Sequence, residues 1–229
     1  MIIYPQNWKK IGMRITAGEV EQRLMSVLRG IDCDCLSFSG GVDSSLLLYY
    51  MIQIFHKVKI FTMGISESHP DVMFAKKVVA HYKKKYFSPL THFIYYPKDQ
   101  EIKYSIYELF YRYVNKYTKK IIAGDTIDEY MCGYYDHMTN PTEEVYYEHI
   151  RRLQEDHLIP LDMSSAEVQV CLPYADERII AMLSQIPLKD KVDSYNRKKI
   201  IVEMAKGRVP KEIIHRRKYG FCDALKIKE

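Results

Sequence analysis

Ser39-Gly40-Gly41-Val42-Asp43-Ser44-Ser45 decides the fold, because it lies where a short apolar run, Cys33 to Phe38, meets a helical pattern, Ser44 to His56. A strand followed at once by a helix aims the first backbone N–H groups of that helix, and the positive end of its dipole, at one point. Two adjacent glycines let the backbone curl around an anion with no Cβ in the way, and the hydroxyls of Ser39, Ser44 and Ser45 add donors. Phosphate suits such a cradle. Asp43 is the odd member: a carboxylate beside phosphate is repulsive unless a cation lies between them, and magnesium would resolve the conflict.

On either side, strands alternate with helices. Upstream, Thr16 and Glu19 have capping-box spacing, and Val20, Leu24, Val27 and Leu28 recur at helical intervals until Gly30. Downstream come a β-branched strand, Val58 to Met63, ending at Gly64, and a helix, Pro70 to Tyr82, opened by proline in its first turn. A third strand, Thr91 to Tyr96, follows, then a helical pattern over 98–117 and a fourth strand, Lys120 to Ala123. That strand delivers Gly124-Asp125-Thr126-Ile127-Asp128-Glu129. The alternation predicts an α/β fold, an open parallel Rossmann-like sheet with helices on both faces and ligands at the carboxyl ends of its strands. Beyond residue 140 only helices are expected: one capped around Asn140-Pro141 with Glu143, one over Asp176 to Leu183 and one over Asn196 to Lys206. The chain reads as a single domain over 1–229, an α/β core at 1–139 and a helical part at 140–229 that completes the site.

Size and composition fit that reading. The 229 residues suffice for one α/β domain with a continuous core, and 47% hydrophobic with 28% charged residues argues against disorder. The net charge of +5 is spread over scattered lysines and short runs such as Lys83-Lys84-Lys85, which suit a solvated face better than a nucleic-acid stripe. Most of the 20 tyrosines sit among aliphatic residues in helix-like segments. Five cysteines (33, 35, 132, 171 and 222) without Cys-x-x-Cys spacing fit a reducing cytoplasm and disfavour a thiolate metal site. The longest apolar stretch, Leu46 to Phe55, is too short to span a bilayer and contains Gln53.

The string at 39–45 matches the PP-loop signature of ATP pyrophosphatases and looks different from the loop that serves γ-phosphate transfer. This resemblance implies cleavage of ATP between its α and β phosphates. Within the PP-loop proteins, Ala123-Gly124-Asp125-Thr126-Ile127-Asp128-Glu129-Tyr130-Met131-Cys132-Gly133-Tyr134 resembles the S-G-E-G-x-D-E-x-x-x-G-Y stretch of asparagine synthetases, with Asp125 in place of the glutamate. Leu172-Pro173-Tyr174-Ala175-Asp176 resembles that family's V-P-F-L-D, and Pro210 to Phe221 its P-x-x-I-x-x-R-x-K-x-G-F ending.

The asparagine synthetase resemblance implies roles. Asp43 and Asp128 would hold magnesium on the ATP phosphates, while the Ser39 to Ser45 loop and Lys198 clasp pyrophosphate. Met63 and Gly64 match backbone that contacts adenine, and Gly124 is counted with the nucleotide-binding residues. Lys218 would be the cation nearest the charge that builds up during transfer, and Asp125 would orient the amine or take its proton. The implied reaction adenylates a substrate carboxylate and passes the acyl group to ammonia or an amine.

Departures qualify the substrate. Met1 is followed by Ile2, not by the cysteine that opens the family's glutaminase domain, so ammonia, a primary amine or a separate glutaminase subunit is expected to supply nitrogen. Gln169 and Cys171 stand where the family has glutamate and arginine, and Asp125 is shorter than glutamate by one methylene, about 1.5 Å. These changes point to an acid other than plain aspartate. Two alternatives stay open on sequence: a PP-loop enzyme that modifies tRNA or nucleotides, and an ATP-binding protein with a degenerate site.

Overall fold

The computed structural model describes residues 14–83, 90–95 and 105–216. They form two compact units. One contains the sheet and comprises Asp32–Ala123, Leu161–Cys171 and the chain from Ala205; the other takes the chain up to Ile31, Gly124–Pro160 and Leu172–Met204.

The sheet unit begins with β1 (Cys35–Ser37), α2 (Val42–Ile54), β2 (Lys59–Gly64), α3 (Pro70–Lys83), β3 (Leu90–Tyr95), α4 (Ile106–Val114) and β4 (Lys120–Ile122). The helix before them, α1 (Ala17–Gly30), belongs to the other unit. A fifth strand, β5 (Gln169–Cys171), completes a sheet of order β3-β2-β1-β4-β5 in which every pairing is parallel. From β1 the chain adds β2 and β3 on one side, then returns past β1 to add β4 and β5 on the other. By the general rule that such crossovers are right-handed, this order assigns α2 and α3 to one face and α4 to the other. The order therefore reverses between β1 and β4, where Leu36 pairs with Ile122, and open parallel sheets bind ligands outside the strand ends at such a point.

Apolar runs fix this unit. Leu46, Leu47, Leu48 and Met51 are fully buried, as a helix apolar on all sides requires, and they share the core with Leu36, Ile60, Phe61, Val72, Ala75, Val78, Ile121 and Ile122. Tyr82 is also fully buried, its hydroxyl 3.0 Å from Arg208 O and 3.3 Å from Ser45 O. Tyrosine thus serves packing here, as expected from its aliphatic neighbours.

The helical unit holds α1, α5 (Ile127–Tyr130), α6 (Tyr135–Thr139), α7 (Glu143–Leu153) and a π-helical turn (Gln154–Leu158). Later in the chain come a 3-10 turn (Pro173–Ala175), α9 (Glu177–Leu183) and α10 (Leu188–Lys191). The capping box of α1 is present, with Glu19 N on Thr16 Oγ1 at 3.3 Å and Thr16 N on the Glu19 carboxylate at 2.8 Å. Val20, Leu24, Val27 and Leu28 form its buried stripe, and α1 packs on α9. Three more helices span unit borders or come last among the described residues: α8 (Ile159–Ser165), α11 (Lys199–Ala205) and α12 (Lys211–Ile214). Among the described residues, no helix is long and apolar enough to cross a membrane.

The structure corrects the expectation of helices alone beyond residue 140. Gln169–Cys171 is a strand, in register with Lys120–Ile122. Three residues are too few to show a strand period, and a neighbouring strand supplies the pairing that the local sequence cannot announce. Helix α4 occupies only part of the 98–117 pattern, with Ser105 capping it at 3.2 Å from Glu108 N; residues 98–104 lie outside the described residues. Thr142, not Asn140, caps α7.

Candidate active site

In the sheet unit, the exit of β1 is locked to β2: Phe38 N donates to Phe61 O at 2.9 Å and Thr62 Oγ1 donates to Phe38 O at 2.6 Å. The chain then turns through Gly40, whose φ of +65° is left-handed and whose missing Cβ would lie 2.5 Å from Ala75 N. Only glycine suits that conformation and that contact. Gly41 caps α2 with no side-chain bond to the first turn, so the N–H groups that follow lack a carbonyl four residues back. Ser39 Oγ accepts from Gly41 N at 3.3 Å and lies 3.3 Å from Ser44 Oγ, which donates to Gly41 O at 3.3 Å. Asp43 is half-buried in the first turn of α2. Ser45 is fully buried, and its Oγ has no hydrogen-bond partner among the described residues.

Met63 and Gly64 end β2 beside this turn. A Cβ on Gly64 would meet Val72 at 2.7 Å and His69 at 2.8 Å, so the missing side chain lets the start of α3 close on the strand end. Asp71, in the first turn of α3, receives Arg216 Nη2 at 2.8 Å in a buried ion pair. The same Nη2 lies 3.7 Å from where a Gly41 Cβ would be, and the guanidinium stacks 4.7 Å from the Phe74 ring centre. Arg216 Nη1 is buried without a hydrogen-bond partner among the described residues. The basic cluster at 216–218 thus contributes a buried cation beside the glycine turn. Lys218 itself lies outside the described residues.

In the helical unit, Asp128 Oδ1 and Lys198 Nζ are 2.6 Å apart, with side chains 16% and 7% exposed. Gly133 makes room for them: its amide donates to Asp128 O at 2.7 Å, and a Cβ there would collide with the Asp128 carboxylate and the Lys198 stem. Arg197 Nη1 donates to Gly133 O at 2.5 Å. Glu129 is buried, and its Oε1 accepts the Tyr134 hydroxyl at 2.7 Å. Burial, then the charge of Asp128, raises the Glu129 pKa, and burial pushes the Tyr134 phenol up as well.

Asp125, one residue beyond Gly124, receives His157 Nε2 at 2.8 Å from the π-helical turn. The hydrogen bond to Asp125 raises the His157 pKa against the opposing effect of burial, and Glu129 and Asp128 add to the rise. Left-handed φ values at Thr126 (75°), Cys132 (58°) and Lys198 (50°) concentrate strained backbone around these acids. Nearby, Asp136 Oδ2 pairs with His149 Nε2 at 2.6 Å, and the ligand atoms of Asp136, His137 and His149 lie within 4.8 Å of one another. His137 Nδ1 already accepts the Tyr134 amide at 3.3 Å, which leaves the ring proton to its other nitrogen.

Each unit therefore assembles part of the expected set: Ser39, Gly40, Gly41, Asp43, Ser44 and Ser45 with Met63 and Gly64 in one, Asp125, Asp128 and Lys198 with Gly124 in the other. Gln169 is exposed on β5, and Cys171, half-buried at the end of that strand, accepts the Ala123 amide at its carbonyl at 2.9 Å. Sequence reasoning missed His157 and the Asp71–Arg216 pair. Only the arginine had a signal, its place in the P-x-x-I-x-x-R-x-K pattern.

A doubly wound parallel sheet with a serine-glycine turn at its point of strand reversal defines a PP-loop type α/β protein. Residues 35–144 and 137–228 match the sequence model of asparagine synthase, and the chain belongs to that family. Over 220 residues it is 28% identical to a protein of Acanthamoeba polyphaga mimivirus named "Probable asparagine synthetase [glutamine-hydrolyzing]". The match covers 83% of this chain and 40% of that protein, so the chain spans about two fifths of its relative's length.

Proposed function

We propose that the chain is an ATP-dependent ligase that adenylates a substrate carboxylate, releases pyrophosphate, and passes the acyl group to ammonia or an amine. The observation that carries this reading is the Gly40–Ser45 turn, in which a left-handed glycine and the first turn of a 13-residue helix make an anion cradle. Arg216 beside that turn is ion-paired with Asp71 through Nη2, and its buried Nη1, without a partner among the described residues, is a donor for a phosphate oxygen.

The oxygen donors assigned to magnesium suit it by chemistry. Asp43 offers hard oxygen donors in the first turn of the cradle helix and Asp128 offers them on α5, and a carboxylate beside phosphate calls for a cation. When bound, that ion would neutralise charge on the β and γ phosphates. Lys198, held to Asp128, and Lys218 are assigned to the charge on the leaving pyrophosphate and the transferring group. Met63, Gly64 and Gly124 are assigned to the nucleotide through their backbones. Preorganised cations in a partly dry site lower the barrier because they need no rearrangement as charge moves. Asp125 is assigned to the incoming amine. A free carboxylic acid and ammonia or a primary amine are the expected small-molecule partners, with a glutaminase subunit as a possible nitrogen source.

The test is pyrophosphate–ATP exchange. Wild-type protein is incubated with labelled pyrophosphate, ATP, magnesium and fractionated cell extract. An acid-containing fraction is expected to support exchange, with a loss on the order of 10²–10³ in Asp128→Asn. Absence of exchange in every fraction, together with no ATP binding by calorimetry, would exclude the ligase.

A further inference from the structure

The family glutamate is replaced here by the shorter Asp125, and His157 stands 2.8 Å from that aspartate. We infer that His157 is a further catalytic residue, the base that takes the proton of the attacking amine, and that Asp125 is its positioning residue. The inference rests on the ligase reading above.

The geometry supports this division of labour. Nε2 of His157 faces Asp125 Oδ1, so a neutral imidazole carrying its proton there donates to the carboxylate and leaves Nδ1 as the basic atom. Nδ1 has no hydrogen-bond partner among the described residues. The two side chains are 31% and 27% exposed, enough to meet a small amine and to return a proton to water. An aspartate that fixes the tautomer and stabilises the imidazolium is the arrangement that general-base catalysis by histidine uses on unrelated folds.

The step balances without a further reactant. The amine nitrogen attacks the acyl carbon and forms the C–N bond; the C–O bond to the adenylate phosphate breaks, and its electron pair leaves with AMP. One amine proton passes to Nδ1, and Asp125 holds the resulting cation. The contact with Asp125 favours the protonated ring against the opposing effect of burial, and the charges of Glu129 and Asp128 act in the same direction as Asp125. The base is therefore free at higher pH than an ordinary histidine would be, which suits amines that are themselves neutral only in mildly alkaline solution.

Two measurements on the full chain decide the matter. In ¹⁵N-histidine spectra the His157 resonances are assigned by their loss in His157→Gln. Wild type should show the neutral ring with its proton on Nε2 and a midpoint above the ordinary histidine value; Asp125→Ala should lower the midpoint and mix the tautomers. A proton on Nδ1 in the wild type, or no change in Asp125→Ala, overturns the proposal.

The second measurement uses hydroxylamine as the amine, with L-aspartate, L-glutamate and their N-acetyl derivatives as acids. His157→Gln should slow hydroxamate formation by roughly 10²–10⁴ more than it slows pyrophosphate exchange. Equal hydroxamate rates would overturn the role of His157 while leaving the ligase intact. If neither protein supports exchange with any acid or extract fraction, the ligase reading fails and the catalytic assignment falls with it, whatever the spectra show.

Discussion

Lys191 ends α10 with a side chain that is fully buried, its Nζ 2.5 Å from Tyr146 Oη and 4.1 Å from the centre of that ring. Burial pushes its pKa down from 10.5 to about 7. The folded protein thus holds this amine more weakly protonated than the unfolded chain does. The unfolded state binds the extra proton between about pH 7 and 10.5, so stability is greatest above the unfolded value and is lost as pH falls toward the folded one. With about 1.4 kcal/mol for each pKa unit, the loss is roughly 4 kcal/mol at pH 7 and about 2 kcal/mol at pH 9. Lys191→Met keeps an unbranched stem, removes the amine and leaves the Tyr146 hydroxyl donating to Tyr130 O at 3.5 Å. The variant should gain on wild type at pH 7, and its advantage should shrink by about 2 kcal/mol between pH 7 and 9. Burial pushes Cys132, whose charge would act on Lys191, up to about 12, so it does not titrate in this window. Urea unfolding of both proteins at pH 7, 8 and 9 measures the difference. A stability difference that does not change with pH would refute the argument, because it would mean that Lys191 is equally charged in both states.

Two further perturbations follow from close contacts. Gly133→Ala drives a methyl into the Asp128 carboxylate and the Lys198 stem and should cost about 1–3 kcal/mol in urea unfolding, whereas Gly30→Ala, with nothing within 4 Å of its Cβ, should be neutral or stabilising. Equal stabilities for the two would show that the Asp128–Lys198 pair has room to spare. Arg216→Met leaves Asp71 buried without its partner and should cost about 3–5 kcal/mol, while adding Asp71→Leu should recover most of that loss. If the double variant is no more stable than the single one, the guanidinium contributes through packing on Phe74 and not through charge.

The parts of the fold that were legible in the sequence are local. The Ser39 to Ser45 turn, the Thr16–Glu19 box and the first four strands announce themselves within a few residues, because caps and glycine turns act on adjacent backbone. The missed elements depend on partners far along the chain. Strand β5 exists only because β4 offers it a parallel edge. Asp71 and Arg216 meet across 145 positions, and Asp125 and His157 across 32, with the imidazole delivered by a π-helical turn that no periodicity predicts. Lys191, in Leu-Lys-Asp-Lys, carries no local signal of burial, yet tertiary packing buries it.

The acidic site is also held from outside its own helix. Helix α5 has only four residues, too few to be stable alone, and it begins after the left-handed Thr126 and ends before the left-handed Cys132. Its position is set by neighbours: Tyr146 accepts Lys191 and donates to Tyr130 O, Tyr134 donates to Glu129, and Gly133 donates to Asp128 O. Strain at the two ends can persist only because these contacts over-determine the path. A carboxylate on a long, self-sufficient helix would tolerate loss of any one neighbour, whereas Asp128 depends on several at once. Residues packed around the acids, Tyr146 and Gly133 among them, therefore control where the acids point.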